Sequence, residues 1–374
     1  MEAGSQPTQR QTHTVDAADP TSRAATPDAP KVVVVVLSWN GRTDTLACLD
    51  SLTAIDYPNW EVIVVDNGSE DGSVDAVRKA HPAVTVIESA ENLGFAGGNN
   101  LGIQAALHRA ADFILLLNND TIVAPDLLGA FVASARDHPD AAALSGKIYF
   151  LSDPQRPWYA GVRWNPSDAA FEHVGQGVVD SGDCFEQVRE TDYACGCAMF
   201  LRASTVRAIG PLDERFFLLF EDTDWCFRAK GAGFRCLFVP RARLWHRVSA
   251  SLGGPGVPLF EYFYARNRLL WAEMHLGPGR RTAVWLNTLG TISSLARVAD
   301  LVGQLLTGRC RAKQAYWELF TAAREWRRDR RDPRARLIKR ARLQGIRDYL
   351  ARRFGNCPSW IRAAGLRSDS ARGG

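Results

Sequence analysis

No stretch of this 374-residue chain reaches the roughly 20 uninterrupted apolar residues of a membrane-spanning helix. The nearest run, Val284–Leu306, is interrupted by Arg297, Asp300, Gln304 and glycines, and reads as amphipathic or buried. Residues 1–30 are rich in Ala, Thr, Pro, Asp and Gln but contain no apolar segment, so they read as a disordered leader and not a signal peptide. The eight cysteines (Cys48, Cys184, Cys195, Cys197, Cys226, Cys236, Cys310 and Cys357) include no CxxC pair, which argues against a zinc site. They read as small buried hydrophobes in a reducing compartment, with Cys195-Gly196-Cys197 as tight packing around a glycine. The first strand–helix turn lacks GxGxxG, being Ser38-Trp39-Asn40-Gly41, and this excludes a nicotinamide or flavin dinucleotide fold.

What is present is a globular composition, 46% hydrophobic, with charge divided unevenly along the chain. From Ser251 onward there are 24 Lys/Arg against 9 Asp/Glu, whereas the preceding part has 21 against 32. A basic last third suits anionic lipid headgroups, and no nucleic-acid motif accompanies it. A solvated helical surface is the plainer use of the same charge.

The chain is organised around Phe113–Asp120, FILLLNND, an apolar run that ends in two amides and a carboxylate. Such a run predicts a strand buried on both faces, and open α/β sheets bind ligands beyond the carboxyl ends of these strands. Asp120 is thereby placed where a divalent cation or a diphosphate would sit. The same residues could instead cap a helix introduced by Thr121 to Pro125, and both uses stay open here. Val32–Leu37 and Trp60–Val65 predict two further parallel strands. The second ends in Asp66-Asn67-Gly68-Ser69, which puts another carboxylate at a strand end. Val84–Ile87 is a third strand. After it, Glu91–Asn100, ENLGFAGGNN, reads as a contact loop whose glycines allow close approach and whose Asn92, Asn99 and Asn100 supply donors and acceptors.

A helix over Asp126–Ala135 and a strand over Ala141–Phe150 complete this layer. Beyond Phe150, Trp158–Trp164 and Val174–Val188 predict antiparallel strands, Thr191–Leu201 a short strand and Ser204–Ile209 a short helix, so the sheet becomes mixed. Phe216–Phe234 places Glu221, Asp222 and Asp224 at a helix start, where the dipole stabilises acids. That use suffices for Asp224. Adjacent Glu221 and Asp222 raise each other's proton affinity, which suits a general base. Cys236–Trp245 is a last strand, ending at His246. This histidine is either structural or a metal ligand beside Asp120.

These segments resemble the inverting, nucleotide-sugar-dependent glycosyltransferases of family 2, and particularly a rhamnosyltransferase-like branch. The resemblance rests on VVVVLSWNG (33–41), VIVVDNGSEDGS (62–73), ENLGFAGGNNLGI (91–103), LLLNNDTIV (115–123), GCAMFLRASTVRAIGPLDERF (196–216), FEDTDWCFRAKGAGF (220–234) and LWHRVSAS (244–251). It implies the GT-A fold, a Rossmann-like nucleotide-binding layer with a mixed central sheet, over residues 31–270. A basic helical region at 271–355 and a flexible tail at 356–374 would follow. It implies that Asn40, Asp66, Asn67, Asn92, Gly94, Gly98, Asn99, Asn119 and Asp120 surround the nucleotide sugar. Asp120 and His246 would hold Mg²⁺ or Mn²⁺, and Asp222, with Glu221 beside it, would act as base. The family's first metal-site acid is Asn118 here, which leaves Asp120 and His246 to hold the ion together with the diphosphate.

The chemistry agrees with that set of residues. Displacing a nucleoside diphosphate from an anomeric carbon requires neutralising charge on the leaving group and removing a proton from the acceptor hydroxyl. A single displacement inverts the centre and needs no carboxylate nucleophile. The resemblance implies transfer of a sugar, with rhamnose favoured, to a glycan or lipid-linked glycan in cell-surface polysaccharide or glycolipid biosynthesis. The scattered cysteines and the basic aromatic segments predict a cytoplasmic protein, peripheral on the inner face of the membrane.

Two segments suit attachment to an anionic membrane surface: Glu261–Met274, with its aromatic residues, and the Arg-rich stretch from Arg309 to Arg353, interleaved with Trp317, Phe320 and Trp326. Packing on the core, or an oligomer contact, is the other use of these segments. Two competing functions are a catalytically inactive carbohydrate-binding scaffold and a sugar-nucleotide pyrophosphorylase. The second would need a Gly/Arg-rich phosphate loop after the first strand, and none is present there.

Overall fold

The structure, a computed structural model, describes residues 29–167, 169–175, 177–181, 185–248, 255–290 and 332–369. Five consecutive β-branched residues open strand β1 (Val32–Ser38), and Val32 to Val36 are all fully buried. Their side chains alternate. Val32, Val34 and Val36 enter one apolar cluster with Leu49 and Leu52 of α1 (Arg42–Leu52) and Phe131 of α4 (Leu127–Asp137). Val33 and Val35 enter a second cluster on the opposite face, with Ile103 of α3 (Gly94–His108). Two covered faces explain why β1 is apolar without alternation.

Parallel pairing sets β1 between β2 (Trp60–Asp66) and β4 (Phe113–Asn118), with β3 (Thr85–Glu88) outside β2 and α2 (Ser73–Ala80) linking those two. Helix α3 lies against β1 because Gly98 and Gly102 present no side chain. A Cβ on Gly98 would lie 2.5 Å from Leu37, and one on Gly102 would collide with Val35. The stretch read as a contact loop is therefore mostly helix from Gly94 onward, and these two glycines serve helix–sheet packing.

The second half makes the sheet mixed. Strand β5 (Thr121–Val123) forms within the segment expected to introduce the next helix, because its backbone pairs with the end of β12 (Arg235–His246). Strand β6 (Ala141–Phe150) runs parallel to β12, while β7 (Asp153–Tyr159) pairs antiparallel with β6. A separate hairpin joins β8 (Val162–Asn165) to β9 (Ala170–His173). The expected strand over Val174–Val188 is not formed among its described residues, and β10 is only Arg189–Glu190. Strand β11 begins at Ala198, later than expected, and ends at Arg202. It inserts antiparallel between β4 and β6, giving the order β10-β12-β6-β11-β4-β1-β2-β3. Helices α5 (Ala203–Ile209) and α6 (Glu221–Gly231) follow β11.

Four C-terminal helices are described: α7 (Pro258–His275), α8 (Pro278–Gly290), α9 (Pro333–Leu350) and α10 (Ser359–Asp369). Of the two uses open for this segment, a membrane surface or packing on the core, the structure shows packing, with Arg266 and Arg268 buried. Helix α9 packs closely along α7. A Cβ on Gly345 would lie 2.5 Å from the Tyr262 carbonyl oxygen, so the bare glycine permits this approach. Tyr262 donates to Asp348 at 2.9 Å, Arg342 pairs with Glu261 at 2.8 Å, and Arg352 and Tyr349 both bind Glu273. Trp317, Phe320 and Trp326 lie outside the described residues, as does the leader up to residue 28. Among the described residues no helix is long and apolar enough to cross a membrane.

Candidate active site

Strand register gathers the candidate residues on one rim. Ser38 of β1 lies opposite Asp66 of β2, and Leu37 lies opposite Asn118 of β4, so three parallel strands end together. Because β11 runs the other way, the loop before it reaches the same rim, where Asn118 N–H donates to the Cys197 carbonyl at 2.9 Å. The first turn of α6 is tied there in turn, as Gly196 N–H donates to Asp222 Oδ2 at 2.8 Å. His246 ends β12 opposite Thr121, which follows Asp120.

Asp120 and His246 are both buried, and His246 Nε2 stands 3.0 Å from Asp120 Oδ1. The approach is within ion-pair distance but outside hydrogen-bonding geometry, and Asp120 Oδ1 and His246 Nδ1 both lack a hydrogen-bond partner. Arg247 N–H donates to the Asp120 carbonyl at 2.9 Å, and Trp158 lies edge-on to the His246 ring at 4.8 Å. Among the described residues no three His, Cys, Asp or Glu side chains gather into a metal cluster. An oxygen and an imidazole nitrogen, left without directed partners, fit a divalent ion that takes its remaining ligands from a diphosphate.

The asparagines behave differently from the acids. Asn67 spans from β2 to the next turn, donating to Gly94 O at 3.0 Å and Asn92 Oδ1 at 3.2 Å and accepting from Leu93 N–H at 2.9 Å. Asn40 Oδ1 accepts from Glu70 N–H, and Asn119 donates to Thr45. Asn100 exchanges hydrogen bonds with the Leu212 backbone and donates to Glu214. These amides hold the rim together. Asp66 Oδ2 accepts from Ser69 N–H at 3.0 Å, while its Oδ1, like Asn99 Oδ1, is buried without a partner.

At α6 the three acids separate by environment. Asp224 is fully buried between Arg228 and His275, each at 2.8 Å, which accounts for it structurally. Asp222 accepts from Gly196 N–H and, through Oδ1, from the backbone and hydroxyl of Thr223. Burial raises its proton affinity, and those hydrogen bonds oppose the rise. Burial and the neighbouring Asp222 charge hold the Glu221 carboxyl well above the usual range, and its Oε2 has no partner.

Sequence reading missed the turn that delivers these acids. Phe217, Leu219 and Phe220 all adopt positive φ, at 61°, 70° and 75°. No residue type announces this, since bulky side chains rarely enter the left-handed region. Asn267 was missed as well, since between Arg266 and Arg268 it reads as one more polar residue and only its complete burial marks it out.

A doubly covered mixed sheet, parallel through β3-β2-β1-β4, interrupted by one antiparallel strand and carrying its acids on one rim, defines the GT-A fold. A mannosyltransferase from Pyrobaculum calidifontis, solved in complex with GDP-Man and Mn²⁺, shares this fold. Its TM-score is 0.54 at 19% sequence identity, over 89% of each chain. Residues 33–205 match the model of Glycosyl transferase family 2. An N-acetylglucosaminyl-diphospho-decaprenol L-rhamnosyltransferase of Mycobacterium tuberculosis is 25% identical over 271 residues, which are 67% of this chain and 87% of that protein. The dTDP-rhamnosyl transferase RfbF of Shigella flexneri is 21% identical over 251 residues, 64% of this chain and 79% of that protein.

Proposed function

We propose that the protein transfers rhamnose, with inversion, from a nucleoside-diphosphate donor to a hydroxyl of a glycan or lipid-linked glycan. The observation that carries this reading is the convergence on one rim of two acid sets, Asp120 with His246 and Asp222 with Glu221. The names of the two rhamnosyl-transferring relatives support the choice of sugar.

In this reading Asp66 Oδ1 and Asn99 Oδ1 accept hydrogen bonds from the nucleotide sugar, since both are buried and without partners. Asp120 and His246 would hold Mg²⁺ or Mn²⁺, and the ion would supply positive charge to the departing diphosphate. The acceptor oxygen attacks the anomeric carbon from the face opposite the phosphate. As the new C–O bond forms, the bond to the diphosphate breaks with its electron pair, and the hydroxyl proton passes to the Asp222 carboxylate. Burial raises the proton affinity of both carboxyls, and the hydrogen bonds from Gly196 and Thr223 oppose the rise at Asp222, which makes Asp222 the better placed of the two to act as the ionised base.

A lipid-linked acceptor agrees with one exposed stripe on α9, where Arg336, Arg340, Leu343, Arg347 and Leu350 recur at helical spacing. Arginines beside exposed leucines suit an anionic bilayer surface.

The test is nucleoside diphosphate release from dTDP-, UDP- and GDP-sugars with Mg²⁺ or Mn²⁺, with a membrane extract as acceptor source. Metal-dependent release from dTDP-rhamnose that is lost in Asp222→Asn is the expected result. An Asp222→Asn variant as active as wild type would refute the base assignment. Silence across the donors, together with absence of nucleotide-sugar binding, would favour a non-catalytic carbohydrate-binding protein.

A further inference from the structure

The acids of α6 follow directly on a turn that the local chain does not favour. Phe217, Leu219 and Phe220 are bulky and left-handed, and the segment's own backbone bonds are short-range turns, such as Phe216 N–H to Asp213 O at 3.2 Å and Phe217 N–H to Glu214 O at 3.1 Å. A conformation of this kind persists only where its surroundings over-determine it. Here the surroundings come from the middle of α7. Asn267 is fully buried, and its Nδ2 lies within hydrogen-bonding distance of three carbonyls of the turn: Phe216 at 2.7 Å, Leu218 at 2.8 Å and Leu219 at 2.8 Å. Arg266, also fully buried, donates to Phe216 O at 3.0 Å and Arg215 O at 3.2 Å, and it braces Asn267 Oδ1 at 2.9 Å. Its remaining contacts lead away from the site, to Gly355 O at 2.6 Å and to Tyr262, which binds Asp348 of α9.

The far side of the turn is also engaged. Phe217 O accepts from Phe95 N–H at 2.6 Å and Ala96 N–H at 3.3 Å, satisfying donors in the first turn of α3. One turn is thus held by α7, caps α3 on the nucleotide-sugar side of the rim and leads directly into Glu221 and Asp222.

We infer that Asn267, braced by Arg266, is a positioning residue that holds the left-handed turn 216–220 and through it places Asp222 for proton removal. This assignment rests on the reaction proposed above. It makes the C-terminal helices part of the catalytic apparatus, since α9 holds the same segment of α7 that holds the turn. Asn267 touches neither donor nor acceptor, and its contribution falls on the chemical step and not on donor binding.

The experiment compares wild type, Asn267→Ser and Asn267→Ser/Leu219→Gly. It reads kcat and donor KM with dTDP-rhamnose and Mn²⁺, and backbone hydrogen exchange across residues 213–224. Asn267→Ser is expected to lower kcat at least roughly tenfold with KM changed less than about twofold, and to speed exchange in 213–224 while β1 and β2 stay protected. Glycine at 219 enters the left-handed region without a steric penalty, so the double variant is expected to regain part of the lost kcat. A folded Asn267→Ser with wild-type kcat and wild-type exchange would overturn the assignment. So would a loss of kcat that glycine at 219 leaves untouched and that comes with unchanged exchange. Should Asn267→Ser not fold, Arg266→Lys takes its place, losing the guanidinium fork to 215 and 216, and unchanged kcat and exchange in it would likewise overturn the assignment. If wild type releases no nucleoside diphosphate, the proposed reaction fails on its own account. Exchange then decides the positioning alone: faster exchange in Asn267→Ser supports it and unchanged exchange refutes it.

Discussion

His246 Nε2 stands 3.0 Å from Asp120 Oδ1, although one residue ends β12 and the other follows β4. The contact exists because β5 pairs with the last three residues of β12, which brings Thr121 opposite His246. A carboxylate and an imidazole meeting this way, buried and poorly aligned with each other, are better suited to a shared third group than to an ion pair.

In the proposed reaction this pair sets the metal requirement. Chelation should abolish nucleoside diphosphate release, and added Mn²⁺ or Mg²⁺ should restore it. His246→Ala should raise the metal concentration for half-maximal rate at least roughly tenfold, read from titrations of the chelated enzyme. An unchanged midpoint would remove His246 from the site.

Asp222→Asn retains an oxygen acceptor for Gly196 N–H but cannot take a proton. A fall in kcat of roughly 10²–10⁴-fold is expected, with donor KM little altered, measured by steady-state kinetics on the donor that wild type uses.

Glu221 gives a stability test independent of activity. Its folded carboxyl holds its proton more tightly than the unfolded one. Once pH rises above the unfolded value, the native state binds more protons than the unfolded state, and stability falls through the window up to the folded value. Glu221→Gln removes that loss. Denaturant unfolding should find the variant more stable than wild type at pH 8, with the difference disappearing near about pH 4, where both states of the wild-type carboxyl are largely protonated. Equal stabilities at pH 8 would contradict the burial argument.

Gly102 faces Val35 across the interface of α3 and β1, and any Cβ there collides. Gly102→Ala should therefore cost roughly 1–3 kcal/mol by overpacking, despite alanine's better helix propensity. Thermal or denaturant unfolding checks the sign, and a stabilised variant would show that α3 can move away from the sheet without cost.

Sequence alone determined the parallel half of the fold and the identity of the rim acids. Unbroken β-branched runs such as Val32–Val36 have one stable environment, a strand covered on both faces, and the polar residues that end each run mark the rim where ligands gather. Those signals are local, so they could be read without partners. Only the tertiary structure decided which of the polar residues are occupied. Asn40, Asn67, Asn100 and Asn119 look as ligand-ready as Asp66 in one dimension, but their hydrogen bonds are taken by Glu70, Gly94, Leu212 and Thr45. The α7 arginines turn inward because their donors meet carbonyls from Phe216 and Ala169. The positive φ values at Phe217, Leu219 and Phe220 are held from Asn267, about fifty residues away in sequence. Where a group's state depends on one distant donor or acceptor, no local pattern encodes it, and the packed chain alone settles whether that group is free to bind.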